Sequence, residues 1–299
     1  MRTWITSTLL IAVLSAALAA QSQAPATEPE NARIVTTDVA RFWQIYDSAS
    51  DGELASVLRS DYLDAGTQAL RDFIPGRILG PDSLAARITR ERARYESARA
   101  ASLRVVEQEG EIRAAWYALE YLYPYAVFPD TYFVIGRFNS GGTISPRGAI
   151  IGAEMLPDPD MIPHLVAHEL VHFQQPSVPR DRRNLLAYVV REGAADFIAE
   201  LVTGRTPRSA YMQYGYDHEP ELWSELSAVL ERSEFGGWMY GGEPEGRPAD
   251  LGYFFGYRIA EAYYQSAKDK RKAVGDIINV TDYSEFLRVS GYSPAPLSR

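Results

Sequence analysis

Residues 163–175 run Pro163-His164-Leu165-Val166-Ala167-His168-Glu169-Leu170-Val171-His172-Phe173-Gln174-Gln175. Pro157, Asp158, Pro159 and Asp160 lie just upstream. An Asp cap with a proline in the first turn starts a helix there, predicted over Ile162–Gln175. Side chains four apart on a helix lie one above the other. His168 and His172 therefore present their imidazoles in one direction, close enough to share a metal ion at about 2.0–2.1 Å each. Glu169 sits beside that face, where its carboxylate reaches a metal-activated water without binding the metal. This is the zinc-hydrolase spacing H-E-x-x-H with its mechanics intact. The plainer reading is a coincidence of two helix histidines. The chain has only four histidines in 299 residues, which makes a chance match uncommon.

A catalytic zinc site needs a third protein ligand and keeps one position open. Twenty residues beyond His172 comes Glu192, in Arg191-Glu192-Gly193-Ala194-Ala195-Asp196-Phe197. This run falls on the next predicted helix, Asn184–Thr203, after a connection whose Pro176 and Pro179 can reverse the chain. Gly193, Ala194 and Ala195 are small, as two helices packed closely around an ion require. Asp196, one turn beyond Glu192, can hold the free N–H of a ligating histidine. The alternative for Glu192 and Asp196 is a solvated acidic stripe with Glu200. One complete ligand set predicts one Zn²⁺ per chain.

Outward from this centre the chain is mostly helical. Thr37 and Asp38 are placed to cap a helix that carries Val39, Phe42, Trp43 and Tyr46. A second helical stretch runs from about Glu53 to Phe73. Pro81-Asp82-Ser83 opens an Ala- and Arg-rich helix, and another ends before Pro124. Among its arginines, Arg87 and Arg92 lie four residues before Glu91 and Glu96, the spacing of helical ion pairs on a solvated face. Tyr132–Ile135 and Ala149–Ala153 read as strands separated by the turn Asn139-Ser140-Gly141-Gly142. Beyond Thr203, Tyr- and Gly-rich irregular chain precedes helices at Asp250–Gln265 and Ser284–Val289. The expectation is an α+β fold, mainly helical and zincin-like, with a small β-sheet beside the active-site helix.

Composition bounds the function. A net charge of −9 argues against nucleic acid, which demands a clustered basic surface. Cysteine is absent, which removes disulfides, thiolate metal sites and thiol nucleophiles. Arg2, the apolar run Leu9–Ala20 and the small residues of Ala17-Leu18-Ala19 read as a cleaved export signal over residues 1–19. A linker over 20–31 and a single catalytic domain over 32–299 follow. The expected location is periplasmic or extracellular, with no membrane span after cleavage. Asn279-Val280-Thr281 is a glycosylation sequon, without meaning in a bacterial chain.

H-E-x-x-H, nineteen intervening residues, Glu192 and then Asp196 resemble the thermolysin-type gluzincins. Over a wider stretch the chain is similar to an uncharacterised family of predicted zinc proteases related to the GldB-like gliding-motility proteins. Besides the zinc motifs, the likeness rests on Thr37-Asp38 with Phe42-Trp43-Gln44-Ile45-Tyr46-Asp47, on Tyr62-Leu63-Asp64-Ala65-Gly66-Thr67, and on Gly252-Tyr253-Phe254-Phe255-Gly256-Tyr257. It implies His168, His172 and Glu192 as ligands, Glu169 as general base and Asp196 behind the ligands, acting on a peptide or protein substrate. It also implies that Ala149, Ile150, Ile151, Gly152 and Ala153, up to Glu154, form the edge strand on which an extended peptide pairs. The downstream histidine with which gluzincins stabilise the oxyanion has no match here. Tyr257, then Tyr253, on one helical stripe, and His218 are the candidates for that role; aromatic core is the alternative for the tyrosines. His164 shares the stripe of His168 but lies about 12 Å along the axis from His172, and reads as a rim or packing residue. From another class, a non-catalytic envelope assembly protein of GldB-like type would keep the fold without the chemistry.

Overall fold

A computed structural model describes residues 25–156, 158–207, 209–241 and 246–294. The export signal expected over residues 1–19 lies outside them. The helices are α1 (Thr37–Ser48), α2 (Leu54–Val57), α3 (Gln68–Phe73), α4 (Pro81–Arg90), α5 (Arg92–Leu103), α6 (Glu109–Leu122) and α7 (Ile162–Gln174). They continue with α8 (Leu185–Thr203), α9 (Ala210–Asp217), α10 (Glu219–Ser227), α11 (Leu251–Ser266), α12 (Lys270–Ile278) and α13 (Tyr283–Ser290). Four short strands, β1 (Ile34–Val35), β2 (Asp130–Val134), β3 (Gly142–Ser145) and β4 (Gly148–Gly152), form one sheet in the order β1-β2-β4-β3. The fold is α+β and mainly helical, with the small sheet against α7.

The sheet is mixed. β2 runs parallel to both β1 and β4, while β3 turns back antiparallel on β4. All five residues of β4 are buried, the mark of a strand covered on both faces. Here the structure corrects the sequence reading. Ala149, Ile150, Ile151 and Gly152 are interior, and Ala153 has already left the strand. The edge strand next to β4 is β3, hidden in the sequence because Gly142 looks like part of a turn and the strand has only four residues.

α1 buries Phe42, Trp43 and Tyr46 against Tyr62 and Tyr95, in ring contacts of 5.1–6.5 Å. Tyr62 fastens this cluster to the sheet. Its hydroxyl accepts from Ile135 N and donates to Ile135 O, each at 2.8 Å. Asp38 does not cap α1. Its buried carboxylate accepts from Thr67 N and Thr67 Oγ1, and Thr67 in turn caps α3 through Leu70 N. Arg87 pairs with Glu91 as the spacing predicts, whereas Arg92 reaches Asp51.

α8 begins at an Asn184 cap, whose side chain accepts from Ala187 N, and ends at Gly204 in the left-handed region. α11 crosses it at backbone contact. A Cβ on Gly193 would lie 2.0 Å from Tyr257 N, and one on Gly256 would lie 1.8 Å from Val189 O. The chain between α8 and α11 is not irregular, as its glycines and tyrosines suggest, but contains α9 and α10. Gly215 sits inside α9 because a Cβ there would strike the ring of Phe254 at 2.3 Å. α12 is a further helix that the sequence pattern did not reveal.

Candidate metal centre

α7 and α8 lie antiparallel, so that the later histidine of α7 meets the earlier acid of α8. His172 Nε2 is 2.9 Å from Glu192 Oε2, and His168 Nε2 is 3.4 Å from the same oxygen. His168 Nδ1 is 2.7 Å from Asp196 Oδ1. All four side chains are buried. The connection between the two helices is pinned at both ends. Arg191 donates to the carbonyls of His172 and Pro176, and Gln175 Nε2 donates to Arg191 O.

The proton positions decide what this cluster is for. Asp196 and the side-chain oxygen of Gln175 are acceptors, so each draws the Nδ1–H of its histidine, the second at 2.8 Å. That leaves Nε2 of both imidazoles as lone pairs, facing a carboxylate oxygen that also carries only lone pairs. With both imidazoles neutral, three acceptors converge within 4.8 Å of one another. That arrangement is repulsive without a counter-charge, which a divalent cation supplies. Two imidazoles and one carboxylate are the donor set of an open catalytic zinc site. The residues therefore fit the ion.

Without an ion, protons on the histidines would take the cation's place beside the carboxylates. Burial pushes the Asp196 carboxyl up, but His168 and His164 outweigh it and hold it well below the usual range. Burial likewise raises Glu192, while His172 and His168 bring it well below. Burial lowers His168, yet Asp196 and Glu192 draw it well above its ordinary value. Glu169 differs: burial is the main influence and raises its carboxyl, partly offset by His172, His168 and Arg77. Glu169 makes no hydrogen bond or ion pair among the described residues, and it lies against Gly142, where a Cβ would sit 2.4 Å from its Oε1.

A cleft of about 870 Å³ opens over the centre. It brings Glu169 together with the start of β3, His164, Tyr253 and Arg77. His164 is buried and its Nε2 lies 3.6 Å from Asp196 Oδ1, too far for a hydrogen bond, and it stands outside the ligand set.

Residues 139–282 match the family described as Predicted Zn-dependent protease (DUF2268). That segment is just under half of the chain, and over it the chain is similar to this family. The matched segment holds His168, Glu169, His172, Glu192 and Asp196 together. No curated protein and no solved structure matches the chain.

Two sequence-predicted residues of the family segment lie elsewhere. Tyr257 is buried with its hydroxyl on Glu200 Oε2 at 2.8 Å and its ring on Phe197, and it does not line the cleft. The close crossing of α11 over α8 turns only the earlier residue of the tyrosine stripe toward the His168–His172–Glu192 group. His218 is exposed and packs on Tyr214 at 4.3 Å, also outside the cleft. Tyr253 does line the cleft, stacked over His168 at 6.4 Å with 14° between the rings.

Two further residues complete the centre. Tyr240 donates its hydroxyl to Glu192 Oε1 and Tyr211 donates to Asp196 Oδ2, at 2.8 and 2.7 Å. Each carboxylate thus spends one oxygen toward a histidine and has the other fixed by a phenol. Nothing in the sequence spacing marks either tyrosine, since both approach from segments with no periodicity linking them to α7 or α8.

Proposed function

We propose that this chain is a zinc-dependent peptidase in which Glu169 is the general base. The carrying observation is Glu169 itself. An unpartnered buried carboxylate is costly, and this one stands beside a converged metal-ligand set without joining it. A purely structural metal site has no use for such a group. A divalent ion bound there would make water a nucleophile near neutral pH and polarise a carbonyl. Glu169, its pKa raised by burial, is suited to take the proton from that water and pass it to the leaving amine. Asp196 and Gln175 keep His168 and His172 in the tautomer that offers Nε2. Tyr253, over His168 at the cleft wall, is the proposed donor to the developing oxyanion.

The peptide would lie along β3, the outer strand, whose Gly142, Thr143 and Ile144 line the cleft. Met155, Leu156, Met161 and Leu165 give part of the cleft an apolar wall, suited to a large apolar side chain. The proposed setting is outside the cytoplasm, on the N-terminal sequence alone. Among the described residues no helix is long and apolar enough to cross a membrane.

Purified protein should carry about one zinc per chain, and Glu169→Gln should keep that zinc while losing cleavage of a diverse peptide library by several orders of magnitude. Wild-type protein that is fully zinc-loaded and cleaves nothing would overturn the peptidase reading.

A further inference from the structure

Among the described residues, Arg77 and Arg191 are the arginines that line the cleft. Arg191 is committed to the carbonyls of His172 and Pro176. The guanidinium of Arg77 makes no hydrogen bond or ion pair among the described residues, although five acidic side chains line the same cleft.

The backbone that carries Arg77 is built with unusual care. Pro75 at φ −64°, ψ 123° and Gly76 at φ +77° form a type II turn. Leu79 N closes the loop on Ile74 O at 2.8 Å, with Leu79 itself held at φ +68°. A left-handed conformation at leucine is strained and persists only where the surroundings impose it. Ile78 is fully buried beside it, and Asn139 Nδ2 donates to Arg77 O at 3.1 Å. The anchor comes from Asn139, three residues before β3. The loop therefore presents an uncommitted guanidinium at the end of the cleft where β3 begins, on the same side as Glu169.

We propose that Arg77 binds a carboxylate of the substrate, so that the enzyme prefers peptides bearing an anionic group close to the scissile bond. This rests on the peptidase reading and narrows its substrate class. A guanidinium fork matches a carboxylate bidentately, and its charge-assisted bonds are about twice as strong as neutral ones. The other cleft carboxylates work the opposite way. They disfavour an anion placed away from Arg77, which sets the register of the peptide as well as its affinity. The carboxylate has two sources, the peptide's own C-terminus or an Asp or Glu side chain.

Three acetylated tetrapeptides separate them: acetyl-Leu-Ala-Phe-Leu as the free acid, the same peptide as the C-terminal amide, and the amide with glutamate in the last position. Their affinities are measured calorimetrically on zinc-loaded Glu169→Gln, with and without Arg77→Ala or Arg77→Lys. At least one of the two carboxylate-bearing peptides, the free acid or the glutamate amide, should bind at least ten-fold more tightly than the plain amide. Arg77→Ala should abolish the difference and Arg77→Lys should keep part of it. Recovery of affinity by the glutamate amide assigns the side-chain source, and its failure to recover assigns the C-terminus. Equal affinities for all three, or a preference that survives Arg77→Ala, overturns the proposal. A preference that depends on Arg77, in a protein whose Glu169 form hydrolyses nothing, leaves Arg77 assigned and removes the peptidase reading instead.

Discussion

Tyr240 holds Glu192 from outside the metal site, donating its hydroxyl to Oε1 at 2.8 Å from a residue whose own backbone lies at φ +58°. The bond leaves Oε2 to face the two histidines. A tyrosine in the left-handed region is strained, and the loop pays for that geometry with a fixed ligand. Tyr240→Phe should weaken zinc binding by roughly 10–100-fold, as losses behind a ligand do. Competition with a chromogenic chelator measures it, and unchanged affinity would show that Glu192 orients itself. Tyr211→Phe should act similarly through Asp196 and His168.

Gly142 leaves the room that Glu169 occupies. A methyl group there would collide with Oε1, Cδ and Cγ at 2.4–2.7 Å. Gly142→Ala should therefore displace the base and cut kcat by at least about 10²-fold, within the range assigned to a positioned general base. Zinc content should stay at wild-type level. Full turnover in this variant would mean that Glu169 has a second productive rotamer.

The two tyrosines of the α11 stripe should now part company. Tyr253→Phe should lower kcat by about 10²–10³ if its hydroxyl serves the oxyanion. Tyr257→Phe loses only the bond to Glu200 and should cost about 1 kcal/mol of stability with kcat unchanged. The reverse pattern would return the role to Tyr257.

Glu154 gives the fold a pH dependence of its own. Its Oε1 accepts from Phe138 N, its Oε2 has no partner among the described residues, and burial pushes its carboxyl from 4.5 to about 7. Below pH 4.5 both folded and unfolded chains carry the proton. As the pH rises, the unfolded chain releases it first and the folded chain holds it up to about pH 7. The stability fully present below 4.5 is therefore lost by about pH 7, by up to about 3 kcal/mol. Glu154→Gln, which cannot ionise, should gain on the wild type between pH 5 and pH 8 in urea denaturation. A difference independent of pH would contradict this assignment.

His168, His172, Glu192 and Asp196 were legible in the sequence because a single helical period fixes which way residues four apart must point. Each pair needs only its own helix to be aimed. Gly193 was legible as a site of close helix packing, but the helix it admits is α11, at Gly256 and Tyr257. What failed was information between elements. The strand order that puts β3 outside β4 is set by how the β3–β4 hairpin docks on β2, which no local pattern records. Tyr211 and Tyr240 reach the centre from segments whose direction depends on α9 and on a glycine-rich loop. Tyr257 obeyed the stripe rule but was turned away by the angle at which α11 crosses α8.

The pairing of β2 with β4 sets the smallest portable unit of this chemistry. Residues 139–282 contain the whole ligand set, yet they begin after β2, and β2 matches β4 rung for rung from Asp130↔Gly148 to Val134↔Gly152. A polypeptide started at residue 139 would inherit the candidate site residues and a raw flank of five unanswered rungs on a strand with no exposed residue. Such a flank recruits other chains. Transplanting the centre into another scaffold thus means carrying Asp130–Val134 with it, together with the aromatic packing behind that strand.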